Sequence, residues 1–121
     1  MVVVLDPNDV VAQDLRESFH AGGLETLGFT DLLAAGDYMR YKKPDLLVID
    51  PDVADVDGGQ LIQFLSKHYG AGLVPMIVQC SDAHPRIAEA VRRLDRGVLV
   101  HKGDLDGPQL LSIARQLLAH S

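Results

Sequence analysis

Asp50 closes the apolar run LLVI, and Asp52, Asp55 and Asp57 follow within seven residues, ahead of Gly58 and Gly59. A second acid, Asp6, closes the run VVVL near the N-terminus. Lys102 follows a third short run, VLV, with His101 between. Two carboxylates brought together repel, and both stay ionised only beside a counter-charge. Lys102 is one candidate. Mg²⁺ is another, because it takes one or two carboxylates and completes its shell with water and substrate oxygens. A carboxylate held in such company can attack phosphorus while the cations neutralise the transferring group. The chemistry in view is therefore phosphoryl transfer to Asp50. The bland alternative is a set of ordinary acids at the ends of strands.

These residues meet only if the chain folds to bring the ends of its apolar runs together. The runs are short and alternate with amphipathic stretches. Strands are expected at 2–5, 24–29, 45–49, 74–80 and 98–100. Helical spacing joins Val11, Leu15 and Phe19, with Asn8 or Asp9 as the cap and Gly22-Gly23 as the stop. Thr30 or Asp31 starts a second helix that ends near Tyr41, before Pro44. Leu61, Ile62, Leu65 and Tyr69 mark a third, behind an Asp57-Gly58 cap. Pro85, Ile87, Val91 and Leu94 mark a fourth, with the proline in its first turn. Leu110, Leu111, Ala114, Leu117 and Leu118 mark a fifth, entered through Gly107-Pro108. Five strand-helix units with continuously apolar strands predict an α/β fold, a parallel sheet covered on both faces. Ligands of such sheets bind beyond the carboxyl ends of the strands. There the chain places Asp6, Asp50, Cys80 with Ser81, and His101 with Lys102.

Composition narrows the function further. The 121 residues suit one domain, 1–121, with 47% apolar content and room for a core. A net charge of −6 disfavours direct nucleic-acid binding, which needs clustered cations. Arg92, Arg93 and Arg96 form the one basic cluster, read as a solvated helix face or a docking patch for an acidic partner. A single cysteine excludes an internal disulfide and fits a cytoplasmic protein. No apolar run approaches membrane-spanning length.

Along its whole length the sequence resembles the receiver domain of two-component response regulators. The resemblance rests on VVVLD, PDLLVIDPDVADVDGG, VPMIVQCS and VLVHK. Asp50 stands at the phosphoacceptor position, with Asp57-Gly58 seven and eight residues on. Cys80 lies thirty residues after Asp50, at the hydroxyl position, and Lys102 twenty-two further, at the lysine position. The resemblance implies a flavodoxin-like (βα)5 three-layer sandwich with strand order 2-1-3-4-5. It implies Mg²⁺ held by Asp6, Asp50 and the backbone carbonyl of Asp52. It also implies phosphorylation by a histidine kinase. Signalling would pass through the face of helix 4, strand 5 and helix 5 to a protein partner or a second copy.

The departures from that pattern bear on the pocket. Pro7 stands where a second acid is usual, and Cys80 replaces Ser or Thr. Leu99 replaces an aromatic, Ala54 a proline, and Gly103 a frequent proline. Together they predict a degenerate pocket, or pseudo-receiver, that holds Mg²⁺ weakly and works through protein contacts. Its catalysis would extend at most to autophosphotransfer to Asp50. A working Mg²⁺-dependent acceptor at Asp50 is the alternative. Asp50-Pro51-Asp52 also matches the nucleophile motif of haloacid-dehalogenase-type phosphatases, a third reading. Cys80 reads as a small buried hydrophobe, or as a nucleophile paired with His84 or His101.

Overall fold

Runs of Val, Leu and Ile too short for helices become the strands, and each is too apolar to leave a face in water. The computed structural model describes residues 1–53, 56–68, 74–82 and 84–119. The elements are β1 (Val2–Leu5), α1 (Asp9–Ala21), β2 (Thr26–Phe29), α2 (Leu32–Tyr41), β3 (Leu46–Ile49), α3 (Gly58–His68), β4 (Met76–Cys80), α4 (Pro85–Arg92), β5 (Gly97–His101) and α5 (Gly107–Ala119). A single 3₁₀ turn, Pro51–Val53, follows β3. Tyr69, expected on the third helical stripe, lies outside the described residues, as do Ala54, Asp55 and His120.

The strands form one parallel sheet in the order β2-β1-β3-β4-β5, the flavodoxin-like order. Side chains alternate across it. Val3, Leu5, Leu47, Ile49, Met76 and Val78 point to one side, where α2, α3 and α4 bring Met39, Ile62, Leu65 and Ile87. Val2, Val4, Leu46, Val48 and Ile77 point to the other, against Leu15 and Phe19 of α1 and Leu110 and Ala114 of α5. Burial on both faces explains why these strands read as unbroken apolar runs.

Local signals set the helix ends. The Asn8 side chain accepts the Val10 and Val11 N–H groups and caps α1; Asp9 lies inside the helix. Asp31 caps α2 through the Leu33 N–H. Asp57 accepts the Gln60 N–H and opens α3, as its sequence context predicts. Ala12 replaces Val11 on the buried stripe of α1, and α4 stops at Arg92, short of Leu94. The strand β2 starts at Thr26 rather than 24, and β5 runs one residue past its expected range at each end.

Two glycines fit places closed to other residues. Gly103, after β5, has φ +92°, a left-handed turn that carries the chain out of the sheet. Gly59 sits where α3 meets α4. A Cβ there would lie 2.9 Å from the Arg86 carbonyl oxygen and 3.1 Å from Asp57 Oδ1. The close approach of these two helices therefore requires a glycine. Gly59→Ala is expected to lower stability by about 1–3 kcal/mol, outweighing the roughly 1 kcal/mol of helix propensity that alanine brings. Urea unfolding measures the balance, and an unchanged or higher midpoint would show that the helices can separate at no cost.

Candidate functional site

Sheet register assembles the site. Leu5 pairs with Ile49, so the residues that follow them, Asp6 and Asp50, leave adjacent strands side by side. The ladder carries on through them: the Asp50 N–H donates to the Leu5 carbonyl at 2.9 Å, and the Asp6 N–H to Phe29 at 3.0 Å. Across β4, the Lys102 N–H donates to the Cys80 carbonyl at 3.0 Å. Lysine thus leaves β5 two strand spacings from Asp50, about 10 Å. Only a long side chain bridges that gap.

Lys102 does bridge it. Its Nζ donates to Asp50 Oδ2 at 2.5 Å and lies 2.8 Å from Asp6 Oδ2. Both acids are buried, with 2% and 3% of their surface exposed, while the lysine side chain keeps 21%. The second oxygens are also satisfied. Asp50 Oδ1 accepts the Asp52 N–H at 2.9 Å, and Asp6 Oδ1 the Asn8 N–H at 2.8 Å. No buried side-chain nitrogen or oxygen among the described residues lacks a partner. The site therefore satisfies its own polar groups, at a formal charge of −1 shared by two acids and one ammonium.

That arrangement bears on Mg²⁺. The sequence resemblance to receiver domains implies the ion, and two carboxylates at strand ends are suitable ligands. Here, however, Lys102 occupies one oxygen of each. Pro7 is exposed and offers no acid, and Asp9 is exposed on α1. Asp52 is exposed too, and its N–H is spent on Asp50. Among the described residues no group of three or more His, Cys, Asp or Glu side chains could hold a metal ion. The side chains present fit a lysine-neutralised pair better than a divalent site.

Cys80 ends β4 and is 3% exposed. Burial, reinforced by the charges of Asp50, Asp52 and Asp82, pushes its thiol pKa up. It stays protonated at neutral pH, the opposite of an activated nucleophile. The two histidines considered as its base are engaged elsewhere: His101 Nδ1 lies 3.5 Å from Asp104, and His84 Nδ1 accepts the Arg86 N–H. The aromatic position, Leu99, is half-buried and packs against the core beside α4.

The arginines of the basic cluster have partners within the chain, although Arg92 and Arg93 stay exposed. Arg92 and Arg93 both pair with Glu89, and Arg96 donates to the Leu117 carbonyl at 2.8 Å. One contact escapes sequence reading altogether: Arg86 Nη1 donates to Asp57 Oδ2 at 2.9 Å and ties the start of α4 to the cap of α3. Nothing in a separation of 29 residues signals it. His84 as the cap of α4 was legible in principle, since Pro85 follows it at the first helical position.

Burial works against the Lys102 ammonium, but the hydrogen bonds and charges of Asp50 and Asp6 outweigh it and hold its pKa above the ordinary lysine value. The stabilisation is thus fully present at neutral pH and fades as alkaline pH rises through the raised pKa. Lys102→Met keeps the length and removes the charge, leaving two buried acids unpaired. It is expected to cost about 3 kcal/mol at neutral pH, with the deficit shrinking at alkaline pH as the wild-type Lys102 loses its proton. Urea unfolding across pH checks this; a pH-independent deficit would mean that lost packing, not charge, is responsible.

No protein-family model matches the chain. It is 31% identical over 98 residues to protein-glutamate methylesterase/protein-glutamine glutaminase 1 of Anaeromyxobacter dehalogenans (strain 2CP-C), a match covering 81% of this chain and 27% of that protein. The chain thus spans about a quarter of that relative's length. Solved structures resemble it over nearly all of its length. A CheY-like response regulator receiver domain protein from Methanospirillum hungatei JF-1 aligns with TM-score 0.82 at 13% identity, covering 98% of this chain and 93% of that one. The chemotaxis response regulator CheY4 of Vibrio cholerae gives 0.78 at 14%, covering 96% of each chain. The Francisella response regulator 1452 receiver domain gives 0.77 at 21%, covering 98% and 96%. The chain shares the fold of these receiver domains, a five-stranded parallel sheet in the order 2-1-3-4-5 with helices on both faces.

Proposed function

We propose that the chain is a receiver-type module of two-component or phosphorelay signalling whose acceptor pocket is degenerate. The observation that carries the reading is the buried Asp6–Lys102–Asp50 bridge, set where three strands of a 2-1-3-4-5 sheet end. An acid pair and a lysine in that place suit phosphoryl chemistry at Asp50. The degenerate part of the proposal rests on Pro7 and Cys80. Pro7 supplies no second acid, so a divalent ion would have to share the two carboxylates with Lys102. A buried thiol is a weaker hydrogen-bond donor than a hydroxyl, so an incoming phosphoryl group would meet one strong donor fewer. Mg²⁺ is accordingly weakly held at best, and output comes from protein contact.

The contact surface in this reading is the face of α4, β5 and α5. A groove of about 590 Å³ opens there, lined by Val91, Leu94, Leu99 and Leu117, with Arg92 and Asp95 among its charged residues. With Leu99 in place of an aromatic, the groove has no ring to swing in or out, and its shape stays apolar and open to a partner protein. No helix among the described residues is long and apolar enough to cross a membrane.

The Lys102–Asp50 contact itself favours the second reading, a working acceptor, because it places a cation beside the attacking oxygen. One titration separates the two. Backbone amide NMR in Mg²⁺ with a beryllium fluoride complex is expected to leave the Asp50, Asp52, Val53 and 99–102 amides unmoved in the wild-type chain. Pro7→Asp with Cys80→Thr is expected to gain Mg²⁺-dependent shifts there. Saturable shifts in the wild type, spreading from Asp50 to Lys102, would establish the working acceptor instead. Phosphomonoester turnover that Asp52→Asn abolishes would point to the phosphatase reading.

A further inference from the structure

Helix α4 is eight residues long. Helices this short are marginal on their own and depend on caps and packing. Its cap is unusual: His84, extended at φ −60° and ψ 142°, accepts the Arg86 N–H on Nδ1 at 3.2 Å. Pro85 has no N–H to offer, and the Ile87 and Ala88 N–H groups go to the His84 carbonyl. The side-chain bond is therefore the one that satisfies the Arg86 amide. Only an unprotonated Nδ1 can make it, because both nitrogens of an imidazolium are donors.

The surroundings amplify the effect of a proton. Among the described residues, Asp57 and Arg86 line one cavity with His84, and Asp82 offers its carbonyl to the His84 N–H. Glu89, a turn further along α4, is taken by Arg92 and Arg93. A positive charge on His84 would face the positive end of the helix dipole and the neighbouring guanidinium. The acid sharing that cavity is Asp57, whose carboxylate already binds Arg86. Arg86 first, then the Gln60 N–H, hold the Asp57 carboxyl below the usual carboxylate range, so it stays ionised while an imidazole titrates. A protonated His84 thus gives up its cap and competes with Arg86 for the anion that ties α4 to α3.

The geometry points to a pH-sensitive latch: proton uptake by His84 uncaps α4 and loosens the Arg86–Asp57 tie between α3 and α4. The three residues belong to neither the acid–lysine bridge nor the groove, so the latch stands independently of the proposed function. If the groove is a partner surface, the latch acts on it through α4, which forms one of its walls.

His84 is exposed and His84→Asn keeps an acceptor that does not titrate, so the variant should fold with its cap intact. Proton and nitrogen NMR of the full chain between about pH 8 and about pH 5 follows the imidazole through its titration. The Arg86 amide is expected to shift with the same midpoint as the His84 ring. Amide protection of Glu89 to Val91, corrected for intrinsic exchange, should fall about fivefold, the size of one lost cap. His84→Asn should hold both readouts flat, and His101→Gln should leave the wild-type response in place. An Arg86 amide that ignores the His84 midpoint, or an Asn variant that still loses protection, would overturn the latch.

Discussion

Everything around the pocket depends on one ammonium holding two buried acids. Asp6 and Asp50 are forced together by register, since β1 and β3 are adjacent parallel strands that end in step. Two carboxylates cannot both remain charged in such burial without a cation. Lys102 meets that requirement from β5, its side chain passing across the end of β4. The contact is therefore electrostatic compensation and also a strap across four of the five strands. It fixes the β5–α5 turn, where Gly103 takes its left-handed conformation, relative to the acid pair.

A second tie joins the helices above the same end of the sheet. Asp57 caps α3 with one oxygen and holds Arg86 with the other. Gly59 lets the two helix starts approach within van der Waals reach. The short α4 is thus anchored at its first turn by a charge pair and a histidine cap, and along its length by Ile87, Ala90 and Val91. Its last turn borders the groove that includes Leu94 and Leu99. Events at the N-terminal end of α4 can reach that groove because a helix of two turns moves as one body.

The strands were legible because each is an unbroken apolar run buried on both faces, and the helices because their apolar residues recur at helical spacing. Element ends were less so. Nothing in LETLGF distinguishes a start at 26 from one at 24, and Leu94 continues the spacing of α4 although the helix has already stopped at Arg92. The resemblance to receiver domains pointed to Asp50, Cys80 and Lys102, and the strand ends put Asp6, Asp50 and Lys102 in contact. The sequence placed Arg92 and Arg93 on a solvated helix face, where both side chains lie exposed; what it did not show is that Glu89, one turn before them, pairs with both.

The sequence by itself determined the sheet, the faces of its helices and which acids and lysine would stand at the strand ends, because those follow from local periodicity and hydrophobic burial. Tertiary structure alone decided how the charges pair. A single Lys102 satisfies both acids, so Pro7 leaves no gap in the resting pocket, an outcome that residue types cannot reveal. The Arg86–Asp57 tie and the engagement of His84 with its own helix are equally matters of packing. Side-chain partners separated by 29 or 52 residues are chosen by which strand ends and helix termini the fold brings within 3 Å, and no local pattern encodes that distance.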